Sequence, residues 1–164
     1  MDSVPERAEE LLWERHANPW SGWTRLPTGA VVVYAVYRRD WRLLLAGVLW
    51  AAVNPFLFSP PETDDAWMTR AVRAERWWLR EQDNGTVGRS YPNVCNTLGA
   101  VSFGYALVAA WNRRPAGTAL ATVLGTALKL WWVGVLVRRY DSVRESNADS
   151  DAGPVGRPSA TGSP

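Results

Sequence analysis

Four apolar runs, at residues 20–37, 41–58, 94–111 and 116–137, limit how this chain can fold. They come in pairs. Arg38-Arg39-Asp40 divides the first pair and Asn112-Arg113-Arg114-Pro115 the second, and turns this short can only reverse the chain. A run of about 18 apolar residues is near the lower limit for a helix crossing a hydrocarbon core about 30 Å thick. The pattern predicts an all-α fold, an integral membrane four-helix bundle made of two helical hairpins, residues 20–58 and 94–137.

The remaining segments flank or join the hairpins. In residues 1–19, Val4, Ala8, Leu11 and Leu12 recur at helical spacing among glutamates, which predicts a short surface helix and a lead-in. Residues 1–15 are acidic and have no cationic and apolar pattern of a signal peptide, so insertion is expected to be directed by the first membrane helix. In residues 59–93, Ser59-Pro60-Pro61 stops the second run, and Thr63 or Asp64 can cap a new helix reaching about Gln82. On its wheel Trp67, Met68, Ala71, Val72, Ala74, Trp78 and Leu79 share one side, and Arg70, Arg73, Arg76 and Arg80 the other. A basic amphipathic helix of this kind is expected to lie in the headgroup plane. Residues 138–164 are polar, without apolar periodicity, and are expected to form a disordered tail.

With a mean hydropathy of −0.20 the chain looks soluble, but that value averages the apolar runs with polar flanks. Its 11 tryptophans suggest an interface, because indole suits the boundary between hydrocarbon and water. Trp20, Trp23, Trp41, Trp111, Trp131 and Trp132 lie near run ends and are expected to anchor in headgroups, while Trp50 lies mid-run and is expected to pack. A net charge of +2, with arginines interspersed among carboxylates, argues against nucleic acid as a partner. The lone Cys95 excludes an intramolecular disulfide and a Cys-based zinc site. No cofactor is implied. The expected partner is the lipid bilayer, with a second copy or another membrane protein as the further possibility. Arginines near the spans are more numerous on the side of the two termini and the middle segment, which predicts cytoplasmic termini.

Small residues four apart mark closely packing faces of membrane helices. Gly117, Ala121 and Gly125 lead to Lys129; Asn96 leads to Ala100 and Gly104; Gly47 and Ala51 lead towards Asn54. Each polar residue thus continues a packing stripe. Measured from the shared turns, Arg25, Asn54, Asn96 and Lys129 occupy the half of the membrane nearest the termini, and Glu75 falls in the middle of the apolar side of its helix. One reading is a cytoplasm-facing polar pocket lined by Arg25, Asn54, Asn96 and Lys129, with Glu75 turned in as a lid. The other is structural: Glu75 pairs with Arg25 or Lys129, and the asparagines satisfy broken backbone near Pro55 and Pro92.

The stretch from His16 to Arg25 forms an interfacial motif. Asn18-Pro19 suits an Asx-turn that starts a helix with proline in its first turn, and Ser21 follows two residues later. His16 has no second histidine and no thiol cluster, so it is a poor metal site. It is expected to hydrogen-bond at the membrane surface or to pair with Glu75.

The set His16, Asn18, Pro19, Ser21, Trp23 and Arg25, then Asn54-Pro55 with Phe58, then Trp67 and Glu75-Arg76 with Trp78, resembles an uncharacterised family of small membrane proteins from halophilic archaea and bacteria. The likeness spans residues 11–137. It implies a multi-pass helical membrane protein and brings no activity, cofactor or catalytic residue with it.

Two functions remain open on these grounds. The first is a non-enzymatic protein acting through helix packing with itself or a membrane partner. The alternative is a carrier or channel for a small solute or ion, centred on Lys129, Asn54, Asn96 and Arg25. An enzyme using His16 and Glu75 is a distant third.

Overall fold

The computed structural model describes residues 4–151. Among the described residues there are seven helices and no strand. They are α1 (Val4–His16), α2 (Pro19–Arg25), α3 (Thr28–Arg38), α4 (Trp41–Leu57), α5 (Trp67–Arg80), α6 (Asn93–Trp111) and α7 (Pro115–Asp151).

The first apolar run is not one helix. Pro27 has no N–H, and in a continuous helix its ring would collide with the carbonyl four residues back. The chain therefore ends α2 at Arg25 and restarts α3 at Thr28, where the Pro27 carbonyl accepts from Val31 N at 3.0 Å. The 11 residues of α3 rise only about 16 Å, about half of a hydrocarbon core.

Both Arg-containing turns are built alike. Arg39 and Arg113 take left-handed φ values of 61° and 53°. The following amides reach back to close each turn, Asp40 N to Ala35 O and Arg114 N to Ala109 O, both at 2.9 Å. Such a cap satisfies carbonyls that the helix end would otherwise leave free. Asp40 then caps α4, its carboxylate accepting from Leu43 N at 3.0 Å. Pro115 opens α7, where its missing N–H costs nothing.

The hairpin of α6 and α7 is close-packed through glycine. A Cβ on Gly125 would stand 3.1 Å from Gly99 O and 2.8 Å from Phe103 Cδ2, and one on Gly99 would stand 3.3 Å from Gly125 O. Gly117 faces Ala109 and Tyr105, and Gly47 faces Val32. The small-residue stripes on α7 and α4 thus join helices of the same chain.

α7 runs past Val137 as far as Asp151, into the stretch where a disordered tail was expected; the rest of that stretch, 152–164, lies outside the described residues. Composition alone misses this extension because neighbouring elements hold it. Asp141 pairs with Arg70 at 3.5 Å, Arg144 with Asp64 at 3.2 Å, and Tyr140 stacks on Trp77 with centroids 6.0 Å apart. At 37 residues α7 is about 55 Å long, well beyond a bilayer core.

The amphipathic helix also differs from expectation. Instead of lying open to headgroups, the apolar face of α5 packs on α7: Met68, Ala71, Ala74, Trp77 and Trp78 form one buried cluster with Trp132, Val133, Leu136 and Val137. Its arginines are matched by carboxylates, Arg73 with Asp64 at 2.7 Å, Arg76 with Glu10 at 3.4 Å, and Arg80 with Glu9. Exposed pairs of this kind contribute about 0–1 kcal/mol each, so burial holds the helix and the charges set its orientation. Asp64 is consumed in these pairs and does not cap: Ala66 stands at the N-cap, and α5 ends at Arg80 rather than Gln82.

Among the described residues two helices are long and apolar enough to cross a bilayer, Asn93–Trp111 and Pro115–Ser150, and the shorter Trp41–Leu57 is apolar as well. Only 22% and 33% of the two long apolar windows are buried, so most of their residues are half-buried or exposed. On α4 that surface includes Leu45, Val48, Leu49 and Phe56, and on α7 Leu120, Val123 and Leu124. Trp20, Trp23, Trp41, Trp111 and Trp131 are exposed. Trp132, expected as an anchor, is instead fully buried, and Trp50 is partly exposed with its indole N–H donated to Thr24 O at 3.3 Å.

Candidate functional site

The motif from His16 to Ser21 docks on the end of α4. Asn18 caps α2, its Oδ1 accepting from Trp20 N at 2.9 Å while its Nδ2 donates to Ser59 O at 2.9 Å. Ser21, fully buried, donates to Asn54 Oδ1 at 2.7 Å. Asn54 Nδ2 donates in turn to Thr24 Oγ1 at 2.9 Å, and Arg15 Nη1 reaches Phe56 O at 3.2 Å. The carbonyl of Thr24, at the broken end of α2, accepts from Trp50. This network satisfies the polar groups that the break exposes.

Asn54 therefore serves α2, and Arg25 turns elsewhere. The guanidinium lies on the His16 ring, with Nη1 2.6 Å from Nδ1 and Nη2 2.8 Å from Nε2. Guanidinium only donates, and a neutral imidazole has a single lone pair, so one of these contacts is a hydrogen bond and the ring beneath it is neutral. Burial first, then the charges of Arg25 and Lys129, push the His16 pKa down to about 4. His16 pairs with Arg25 rather than with Glu75.

Glu75 faces Lys129. Its Oε1 lies 3.3 Å from Lys129 Nζ, and the ammonium sits 4.2 Å from the centroid of the Trp132 ring. Arg25, Glu75 and Lys129 share the wall of a cavity of about 260 Å³, completed mainly by apolar groups including Leu26, Met68, Phe103 and Leu130. Gly22 and Gly29 also line it, and a Cβ on Gly22 would stand 2.1 Å from Met68 Cγ, so that side chain occupies the space a larger residue would need.

Of the five expected pocket residues, three meet at this cavity. Asn54 lies in the α2 network, and Asn96 donates to Thr86 O at 2.8 Å, holding the loop before α6. Height along the helices indicated which groups share a level, but azimuth decides which of them touch. Asn93 escaped notice in the sequence. Its Oδ1 accepts from both Trp78 Nε1 at 3.2 Å and Trp132 Nε1 at 3.1 Å, and its Nδ2 donates to Gly85 O at 2.8 Å. The signal was two tryptophans that need acceptors once buried, with an asparagine at the start of α6.

Among the described residues no group of three or more His, Cys, Asp or Glu side chains converges as a metal site would require. A second groove, of about 460 Å³, lies between α1, α5 and α7 and is lined by Arg73, Arg76 and Arg80 with Trp13, Trp77 and Tyr140. Those three arginines already carry carboxylate partners.

No curated protein and no solved structure shows a significant match to this chain. A family model matches residues 7–157, which include the cavity and every element that builds it, and the chain thus belongs to DUF6653, a family of unknown function.

Proposed function

We propose that this chain is a non-enzymatic multi-pass membrane protein that binds a small anionic solute in the cavity between α2, α5, α6 and α7. In this reading α2 with α3, α4, α6 and the first half of α7 occupy the bilayer. α1, α5 and the end of α7 form a cap on the cytoplasmic side, with both termini. The large outward apolar surface of α4, α6 and α7 supports the membrane placement.

The observation that carries the binding reading is a cavity that reaches Lys129. Arg25 and Lys129 bring two positive charges and Glu75 one negative charge, and His16 beside them is neutral, so the wall holds one positive charge in excess. Ionisable groups at membrane depth are costly unless paired or used. A monoanion would balance this one, and the apolar remainder of the lining suits a short hydrocarbon body. The ligand class is therefore a small carboxylate with an apolar tail.

Calorimetry on the full chain in neutral detergent tests this, with a series of short-chain carboxylates and the amines of matched length. Carboxylates should bind, amines should not, and Lys129→Met should weaken carboxylate binding at least tenfold. Equal binding of acids and amines, or unchanged affinity in a folded Lys129→Met protein, overturns the proposal.

One observation favours assembly as a second reading. Ala100 and Gly104, four apart on α6, face outward, and nothing lies within 4 Å of where a Cβ on Gly104 would stand. Small residues on an outer face let a second helix approach closely. Cross-linking in membranes should trap a dimer that Gly104→Ile abolishes; a chain that stays monomeric before substitution removes this reading.

A further inference from the structure

The end of the molecule formed by the two Arg-containing turns has a charge that the fold itself does not balance. Arg38, Arg39, Arg42, Arg113 and Arg114 lie in or beside these turns with a single carboxylate, Asp40, so five positive charges face one negative and the excess is four. Asp40 is itself engaged in capping α4. The N-termini of α4 and α7 both open at this end, and neither has an acidic residue in its first turn. Helix N-termini add partial positive charge and free amides.

Arg39 ties the two turns together. Its Nη2 donates to Trp111 O at 2.7 Å, and its guanidinium carbon stands 3.7 Å above the Trp111 ring. Its Nη1 is buried and has no hydrogen-bond partner among the described residues. Beside it runs a groove of about 610 Å³ lined by Tyr34, Arg38, Arg39, Asp40, Trp41 and Arg42. Trp41 and Trp111 flank this end with ring centroids 6.4 Å apart, both more than half exposed.

We infer that this groove binds the phosphate headgroup of an anionic phospholipid. Clustered arginines suit phosphate because the guanidinium fork matches its oxygens. Indoles at the same level belong to the headgroup layer. Directly beyond the groove along α4, Leu45, Val48 and Leu49 face outward and continue as an apolar track, which acyl chains would follow and a free phosphate would not use. The inference rests on the membrane placement proposed above and is independent of the carboxylate cavity at the other end.

Native mass spectrometry of the full chain released from detergent tests it, with phosphatidylglycerol, phosphatidylcholine and soluble glycerophosphate as probes. Phosphatidylglycerol adducts should survive at least tenfold better than phosphatidylcholine adducts. Arg39→Gln should abolish the preference, but it also cuts the bond between the turns. The double variant Arg38→Gln with Arg42→Gln removes two exposed cations of the groove whose side chains have no hydrogen-bond or ion-pair partner among the described residues, and it should weaken phosphatidylglycerol retention by roughly fivefold per arginine. Equal retention of the two lipids, or a double variant that retains phosphatidylglycerol unchanged, overturns the inference. So does glycerophosphate binding as tightly as the lipid, which would make the groove a site for free phosphate. A chain that stays in the supernatant without detergent overturns both this inference and the membrane placement, whereas a membrane-bound chain without lipid preference overturns this inference alone.

Discussion

Replacing Asn54 with alanine should loosen α2 from α4 before it disturbs anything else. The side chain is fully buried and holds two bonds, one from Ser21 Oγ at 2.7 Å and one to Thr24 Oγ1 at 2.9 Å. After the change, Thr24 still donates to Trp20 O at 2.6 Å, so its loss is partial. Ser21 fares worse, because its only acceptor among the described residues is gone and burial keeps water away. Two lost bonds at about 1 kcal/mol each plus an orphaned hydroxyl at about 1–3 kcal/mol would total roughly 4 kcal/mol against an aqueous reference. A chain unfolded within lipid or detergent finds substitute partners, and interhelical bonds there average nearer 0.6 kcal/mol. The expected loss is therefore about 2 kcal/mol.

Reversible unfolding in mixed neutral and anionic detergent, followed by tryptophan emission, measures this loss. The decisive comparison is a double-mutant cycle with Ser21→Ala. If the hydroxyl and the amide depend on each other, the double variant Ser21→Ala with Asn54→Ala should cost about 1 kcal/mol less than the two single changes summed, since removing both partners leaves no orphaned hydroxyl. Additivity within about 0.3 kcal/mol would refute the pairing and with it the account of how α2 is held.

Two further outcomes follow from the geometry. The His16 pKa in the folded chain, about 4, lies below the ordinary 6.5, so between these values the unfolded chain binds more protons and stability falls as the pH is lowered. The loss should total of order 2–3 kcal/mol across that window, and His16→Gln should flatten the portion above pH 5, measured by the same unfolding assay at a series of pH values. Gly125→Ala should force α6 and α7 apart against Gly99 O and the Phe103 ring and cost about 1–3 kcal/mol, whereas Gly104→Ala meets open space and should change the stability of the single chain by less than about 1 kcal/mol.

Much of the architecture was legible because hydrophobic run length and turn chemistry are local properties. The Arg-pair turns, the helix after Ser59-Pro60-Pro61, and α6 and α7 as long apolar helices can all be read from residues within about 20 positions. What escaped depended on partners far along the chain. The extension of α7 past Val137 reads as a solvated tail until Asp64 and Arg70 are placed beside it. The face of α5 looks like a lipid-facing surface until Trp132 and Leu136 cover it. Pro27 is the exception, a local signal that run length concealed. At the cavity, Arg25, Glu75 and Lys129 could be put at one level by counting residues, but Asn54 could not be separated from Arg25 without knowing that α2 stops at Arg25 and α3 restarts at Thr28.

That interruption leaves the charged cavity wall carried by three helices, with α5 in the middle. Glu75 and Lys129 ride on α5 and α7, which share one buried cluster and a set of ion pairs. Arg25 rides on α2, which is fastened to α4 by Asn54 and packs on α5, with Gly22 against Met68 and Trp23 beside Trp67 at 6.1 Å between ring centroids. α7 is stiff over its whole length, so a tilt of about 5° displaces one end relative to the other by roughly 5 Å. In the membrane placement proposed above, such a tilt would pass through α5 to α2 and so couple the Arg25 wall of the cavity to the thickness of the bilayer.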